Sequence, residues 1–161
     1  MDQQLSISPV LAKLDGLCPA GYAIALHIKF TTPTFLFQTY AQDWMDYYSQ
    51  NGLVLHDPTV RWGFENTGTR VWKDLEAEDE HSVLKKARKH GLSHGFVAAH
   101  VGRGTRSVAS FARSDRDFDD AEIAQISEMF VELHDETVDA EQLSAEEREA
   151  LKQLSITLTH G

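Results

Sequence analysis

"YAQDWMDYYSQNGLVLHDPTVRWGFENTGTRVW", residues 40–72, holds all three tryptophans and three of the four tyrosines of a 161-residue chain, with Asp57 set directly before Pro58. Aromatics at this density build either a large ordinary core or a pocket that stacks on a flat, partly polar small molecule. The first third has a helical period. Tyr40, Trp44, Tyr47, Tyr48 and Asn51 share one face, Asp43, Asp46 and Gln50 the other, and Gly52 follows as a stop. Asp57-Pro58 opens a second helix, an acceptor at the N-cap followed by proline at the first helical position, with Val60 and Phe64 on it. Asp57 either only caps that helix or turns inward, and an inward carboxylate needs donors. The residues by themselves leave both choices open.

Working outward, "SPVLAKLDGL" carries Val10, Leu11 and Leu14 at helical spacing, with Gly16 ending a short helix. "GYAIALHIKF" alternates, which places Tyr22, Ile24, Leu26, Ile28 and Phe30 on one face of a strand. "PTFLFQ" reads as a second strand with Pro33 at its start, and "RVW" as a brief extended piece. "EDEHSVLKKARKHG" has acids first and bases last, as a helix dipole favours, and stops at Gly91. "GFVAAHVGRGTRSVASFA" reads as a hairpin turning at Gly102-Arg103-Gly104. The long helix of "DDAEIAQISEMFVELHDET" has Asp119 and Glu122 at capping-box spacing and Ile123, Ile126, Phe130, Leu133 and Thr137 on one face. The expected fold is an α/β/α sandwich, a central antiparallel sheet with helices on both faces.

The charge balance, −10 at neutral pH, would repel a phosphate backbone and argues against nucleic-acid binding by this chain alone. The single cysteine, Cys18, cannot form an internal disulfide, no apolar run approaches the roughly 20 residues of a membrane span, and the N-terminus lacks a secretory pattern. A cytoplasmic protein without membrane contact is expected. His90, His94 and His100 fall in no zinc spacing and read as surface or strand histidines. "SDRDFDDAE" misses the glycine and terminal glutamate of a calcium loop, so no metal site is expected. No nucleophile elbow or phosphate loop occurs, so no catalytic residue and no cofactor is assigned.

The spacing Tyr40-x3-Trp44-x3-Tyr48-x8-Asp57-Pro58-x13-Trp72, with "HGLSHG" ending at Gly95, resembles the autoinducer-binding domain of LuxR-type quorum-sensing regulators. The resemblance implies an N-acyl homoserine lactone held between sheet and helices, in a receptor that pairs as a homodimer and is not an enzyme. By matched position Trp44 would donate to the lactone carbonyl, Asp57 would accept from the ligand amide, and Tyr40 would donate to the acyl carbonyl. Tyr48, Thr59 and Trp72 would line the pocket, Trp72 against the lactone ring, while Gly95 would serve backbone geometry. Several family members complete the polar cluster with a serine or threonine on the last central strand. Ungapped matching places Phe111 there, with Ser110 one residue away on the opposite face. A contact-only regulator, a sensor of another metabolite, and a lactone hydrolase are the competing readings.

Residues 1–140 would be the receptor domain. "LSAEEREAL", within 141–161, resembles the linker and opening of that family's helix-turn-helix domain. No residues follow to supply a recognition helix, so an excised sensor domain that does not bind DNA by itself is expected. A naturally short regulator that titrates full-length partners is the alternative.

Overall fold

The computed structural model of the protein describes residues 3–30 and 32–138. Five strands form one antiparallel sheet: β1 (Gly21–Lys29), β2 (Thr32–Gln38), β3 (Gly68–Val71), β4 (His94–Gly102) and β5 (Thr105–Arg113), in the order β2-β1-β5-β4-β3. Helices α1 (Gln3–Leu17) and α5 (Asp120–Glu136) cover one face. The other carries α2 (Gln42–Gln50), α3 (Pro58–Glu65), a 3-10 segment at Trp72–Glu78, and α4 (Val83–Arg88). The helix–sheet–helix sandwich expected from the sequence is therefore the fold. Among the described residues no helix is long and apolar enough to cross a membrane.

The core lies on the α1/α5 side, where Tyr22, Ile24, Leu26, Phe37, Phe96 and Phe111 are fully buried against Leu14, Phe130 and Leu133. α5 is fixed at its start by the full capping box: Asp119 accepts from the Glu122 N–H, and Glu122 accepts from the Asp119 N–H. The β4–β5 turn at Arg103 and Gly104 has positive φ at both positions, the two-residue geometry that matches strand twist.

Several boundaries differ from the sequence reading. α1 begins well before Ser8 and runs one residue beyond Gly16. α2 starts at Gln42, because Ala41 is extended (φ −54°, ψ 138°), so Tyr40 precedes the helix instead of sharing its face. The acidic lead of "EDEHSVLKKARKHG" is not part of α4. Both Asp79 oxygens accept backbone N–H groups, from Val83 and Leu84, and this confines α4 to six residues.

Alternation in β1 fails after Leu26. His27 takes a positive φ of 53°, and the pairing with β5 shifts between Ala25 and Ile28. This bulge turns Ile28 to the opposite face from Tyr22, Ile24 and Leu26, and Phe30 beyond it is 97% exposed.

His27 is held where it bulges. Its ring reaches the last turn of α5 through Nε2, 3.0 Å from the His134 carbonyl and 2.9 Å from Thr137 Oγ1, while Nδ1 lies 2.7 Å from Thr105 Oγ1. Ser107 Oγ accepts the His27 N–H and sits 2.7 Å from His134 Nδ1, whose Nε2 is 2.9 Å from the Gly102 carbonyl. Carbonyls only accept, so each ring carries its proton on Nε2 and takes a hydroxyl proton at Nδ1. His100, His134 and Asp135 are close enough to share an ion, but both His134 nitrogens already have partners.

Candidate ligand cavity

A cavity of about 510 Å³ lies between the sheet and α2/α3. Its floor follows from register. Direct cross-strand partners point to the same face, so Gln38, Ala23 and Ser110 form one row, Leu36, Ala25 and Val108 the next, and Pro33 with Ile28 a third. Alanines in the middle strand leave the space, and the bulge at His27 supplies Ile28 to the third row.

The polar end sits over the first row, where the Tyr40 hydroxyl donates to the Ser110 carbonyl at 3.2 Å. Asp57 does two things at once. Oδ1 caps α3, accepting from the Thr59 N–H at 2.9 Å and the Thr59 hydroxyl at 2.7 Å, while Oδ2 accepts from the Tyr48 hydroxyl at 2.8 Å. Burial raises the Asp57 pKa, and the hydrogen bonds from Thr59 and Tyr48 oppose that shift. Burial likewise pushes the Tyr48 phenol up, with the Asp57 charge adding to it, so Tyr48 stays a donor.

Trp44 is buried at the centre of an aromatic group, 5.6 Å from Tyr48, 6.1 Å from Tyr47 and 5.2 Å from His90 between ring centroids. Trp72 completes the lining, and its indole N–H is buried without a partner among the described residues. Such an orphan is costly unless something else accepts from it.

Tyr40, Trp44, Tyr48, Asp57, Thr59 and Trp72 thus line one cavity, together with Ser110. Phe111 does not. It packs on the other face of the sheet, 5.1 Å from Phe96 and 6.4 Å from Phe130. Ser110, the adjacent residue on β5, takes the cavity face instead, because successive residues of a strand point to opposite faces. The sequence reading missed Ala23, Ala25 and Val108, whose signal was the small and apolar residues alternating with the buried row.

Gly95 lies beneath Trp72: an added Cβ would come within 2.6 Å of the indole and 2.7 Å of the Phe111 carbonyl. Gly95→Ala is expected to cost about 1–3 kcal/mol by overpacking and to displace Trp72. A lowered melting temperature with a shifted tryptophan emission checks this, and an unchanged melt would show that the indole can yield.

The acidic turn after β5 is used structurally: Asp115 pairs with Arg113, Asp117 meets Lys73 and His94, and Asp119 caps α5.

A sandwich whose sheet and helices enclose one amphipathic cavity defines a small-molecule receptor domain. The chain belongs to the autoinducer-binding domain family, whose model matches residues 18–137. The transcriptional activator SolR of Ralstonia solanacearum is 30% identical over 119 residues, 73% of this chain and 50% of SolR. The activator LuxR of Aliivibrio fischeri is 29% identical over 87 residues, 51% of this chain and 35% of LuxR. The chain therefore spans half or less of these relatives. Among solved structures, the N-acylhomoserine lactone-dependent LuxR-family factor CepR2 of Burkholderia cenocepacia superposes with a TM-score of 0.59 at 17% identity, over 84% of this chain and 83% of CepR2. SdiA in complex with octanoyl-rac-glycerol gives 0.63 at 18%, over 98% of this chain and 71% of SdiA. These likenesses concern the fold. The family consists of receptor domains of transcriptional regulators, not enzymes.

Proposed function

We propose that this domain is the signal receptor of a cytoplasmic LuxR-type transcriptional regulator, that it binds an N-acyl homoserine lactone without catalysing its turnover, and that the ligand governs homodimerisation and, through a helix-turn-helix domain, DNA binding. The observation that carries the reading is the gradient within one cavity. Tyr40, Asp57 and Thr59 gather polar groups at one end, and Leu36, Val108, Ile28 and Pro33 make the other apolar. An acylated headgroup bearing an amide N–H and carbonyls has the complementary chemistry.

In this reading Asp57 accepts from the amide, and Tyr40 leaves its long bond to Ser110 to donate to the acyl carbonyl. Trp44 donates to the lactone carbonyl, and Trp72 lies against the lactone ring. The residues assigned to a DNA-binding start, 141–161, lie outside those described, so that part of the proposal rests on the sequence and on the relatives.

Mass spectrometry of small molecules extracted from the protein, after expression with a panel of acyl lactones, tests the ligand class. One acyl lactone retained in stoichiometric amount is expected. Retention of a different class, or of none, would point to another metabolite or to a contact-only regulator.

A further inference from the structure

We propose that the ligand's acyl tail leaves the cavity between Leu36, Val54 and Phe64, so that the site favours long chains and sets no upper limit on their length. This rests on the acyl-ligand reading above.

Leu36, Val54 and Phe64 all line the cavity, yet they are 36%, 51% and 39% exposed. A side chain that does both stands where the cavity meets solvent. Half of the six large exposed hydrophobic residues among those described thus line this one cavity.

The β5 side is closed. An added Cβ on Gly63 would sit 2.4 Å from Val108, so α3 already touches the strand, and Arg106 Nη1 donates to the Gly63 and Asn66 carbonyls at 2.7 and 2.6 Å. That staple pins the end of α3 over the third row and leaves the β2 side open. β2 is the edge strand of this sheet, with no further strand beyond it among the described residues.

Length follows from the floor. Ser110 in the first row and Arg106 level with the third are four residues apart, about 14 Å along an antiparallel strand. An extended chain advances about 1.25 Å per carbon for a 1.5 Å bond at tetrahedral angles, so roughly eleven carbons span the floor from the first row to the third, passing Leu36 at the second. Further carbons emerge between apolar side chains and meet no wall among the described residues.

The test is a set of dissociation constants for the 161-residue chain with acyl lactones, and with monoacylglycerols as a second headgroup, from six to sixteen carbons. With about fourfold gained per buried methylene, the twelve-carbon lactone is expected to bind at least 100-fold more tightly than the six-carbon one, with sixteen carbons within about threefold of twelve. Leu36→Trp and, independently, Val54→Trp should each lower the twelve-to-six ratio at least tenfold by blocking the rim.

An affinity peak at eight carbons or fewer, falling tenfold by fourteen, would overturn the proposal. So would variants that change the oligomeric state while leaving the ratio intact, because the rim would then be a protein contact. If monoacylglycerols show the open-ended profile and no lactone binds, the headgroup assignment fails and the tail route stands. Binding of neither series at any length defeats both.

Discussion

Asp57→Ala is expected to weaken acyl-lactone binding by about 30-fold or more, since removing one partner of a buried, charge-assisted hydrogen bond costs about 2–5 kcal/mol. The loss should exceed what capping explains. Asp57 caps α3 through Oδ1, a contribution of about 1 kcal/mol to folding, whereas its other oxygen faces Tyr48 in the cavity wall. Asp57→Asn retains an acceptor for the cap but presents a neutral, weaker one to the ligand, so a smaller loss, about tenfold, is expected.

The pH dependence of binding has a definite sign. Burial raises the Asp57 pKa in the free protein. A ligand N–H prefers the ionised form, so affinity should fall as the pH drops through that raised value. Calorimetry on both variants, alongside melting curves, separates the roles. A lowered melt with unchanged affinity would reduce Asp57 to a helix cap.

Acid should unfold the domain through His27. Desolvation first, then the neighbouring His134 4.4 Å away, lowers the His27 pKa to about 4, while the His134 carbonyl and Asp135 act to raise it and Lys29 adds to the lowering. Burial also lowers the His134 pKa. Both rings are neutral in the fold, whereas in the unfolded chain they protonate near pH 6.5. The unfolded state therefore takes up protons first as the pH falls. Stability is intact above about 6.5 and is lost between there and about 4, by roughly 3 kcal/mol for His27 alone.

Asp57 contributes with the opposite sign, because a raised carboxyl pKa favours the folded state on protonation. His27→Asn, which tolerates a positive φ and does not titrate, isolates the histidine part and should flatten the profile. Urea midpoints at pH 7 and 4.5 measure it. Equal midpoints for the parent chain would mean that the buried rings do not resist protonation.

The sheet, the hairpin and α5 were legible in the sequence because their signals are local: strict alternation, a glycine turn and a capping box. The cavity's polar residues were legible only as a spacing, since nothing local says that Asp57 both caps α3 and meets Tyr48. What escaped was non-local. The bulge at His27 is paid for by contacts with Thr105, Ser107 and residues 134–137, some 80 to 110 positions away, and no periodicity in β1 announces them. The same bulge sends Ile28 into the cavity and strands Phe30 in solvent. Phe111 went to the wrong face for a related reason: a strand's phase is set by its neighbours, and an ungapped match carries no register.

The measurement that bears most directly on the ligand assignment is a calorimetric cycle pairing the parent chain and Asp57→Ala with an acyl lactone amide and its ester analogue, which lacks the N–H. The ester is expected to bind the parent chain at least about tenfold more weakly than the amide and to bind Asp57→Ala with the same affinity as the amide does, because the lost bond is then already absent. Equal binding of amide and ester by the parent chain would contradict the assignment of Asp57 as the acceptor that recognises the ligand.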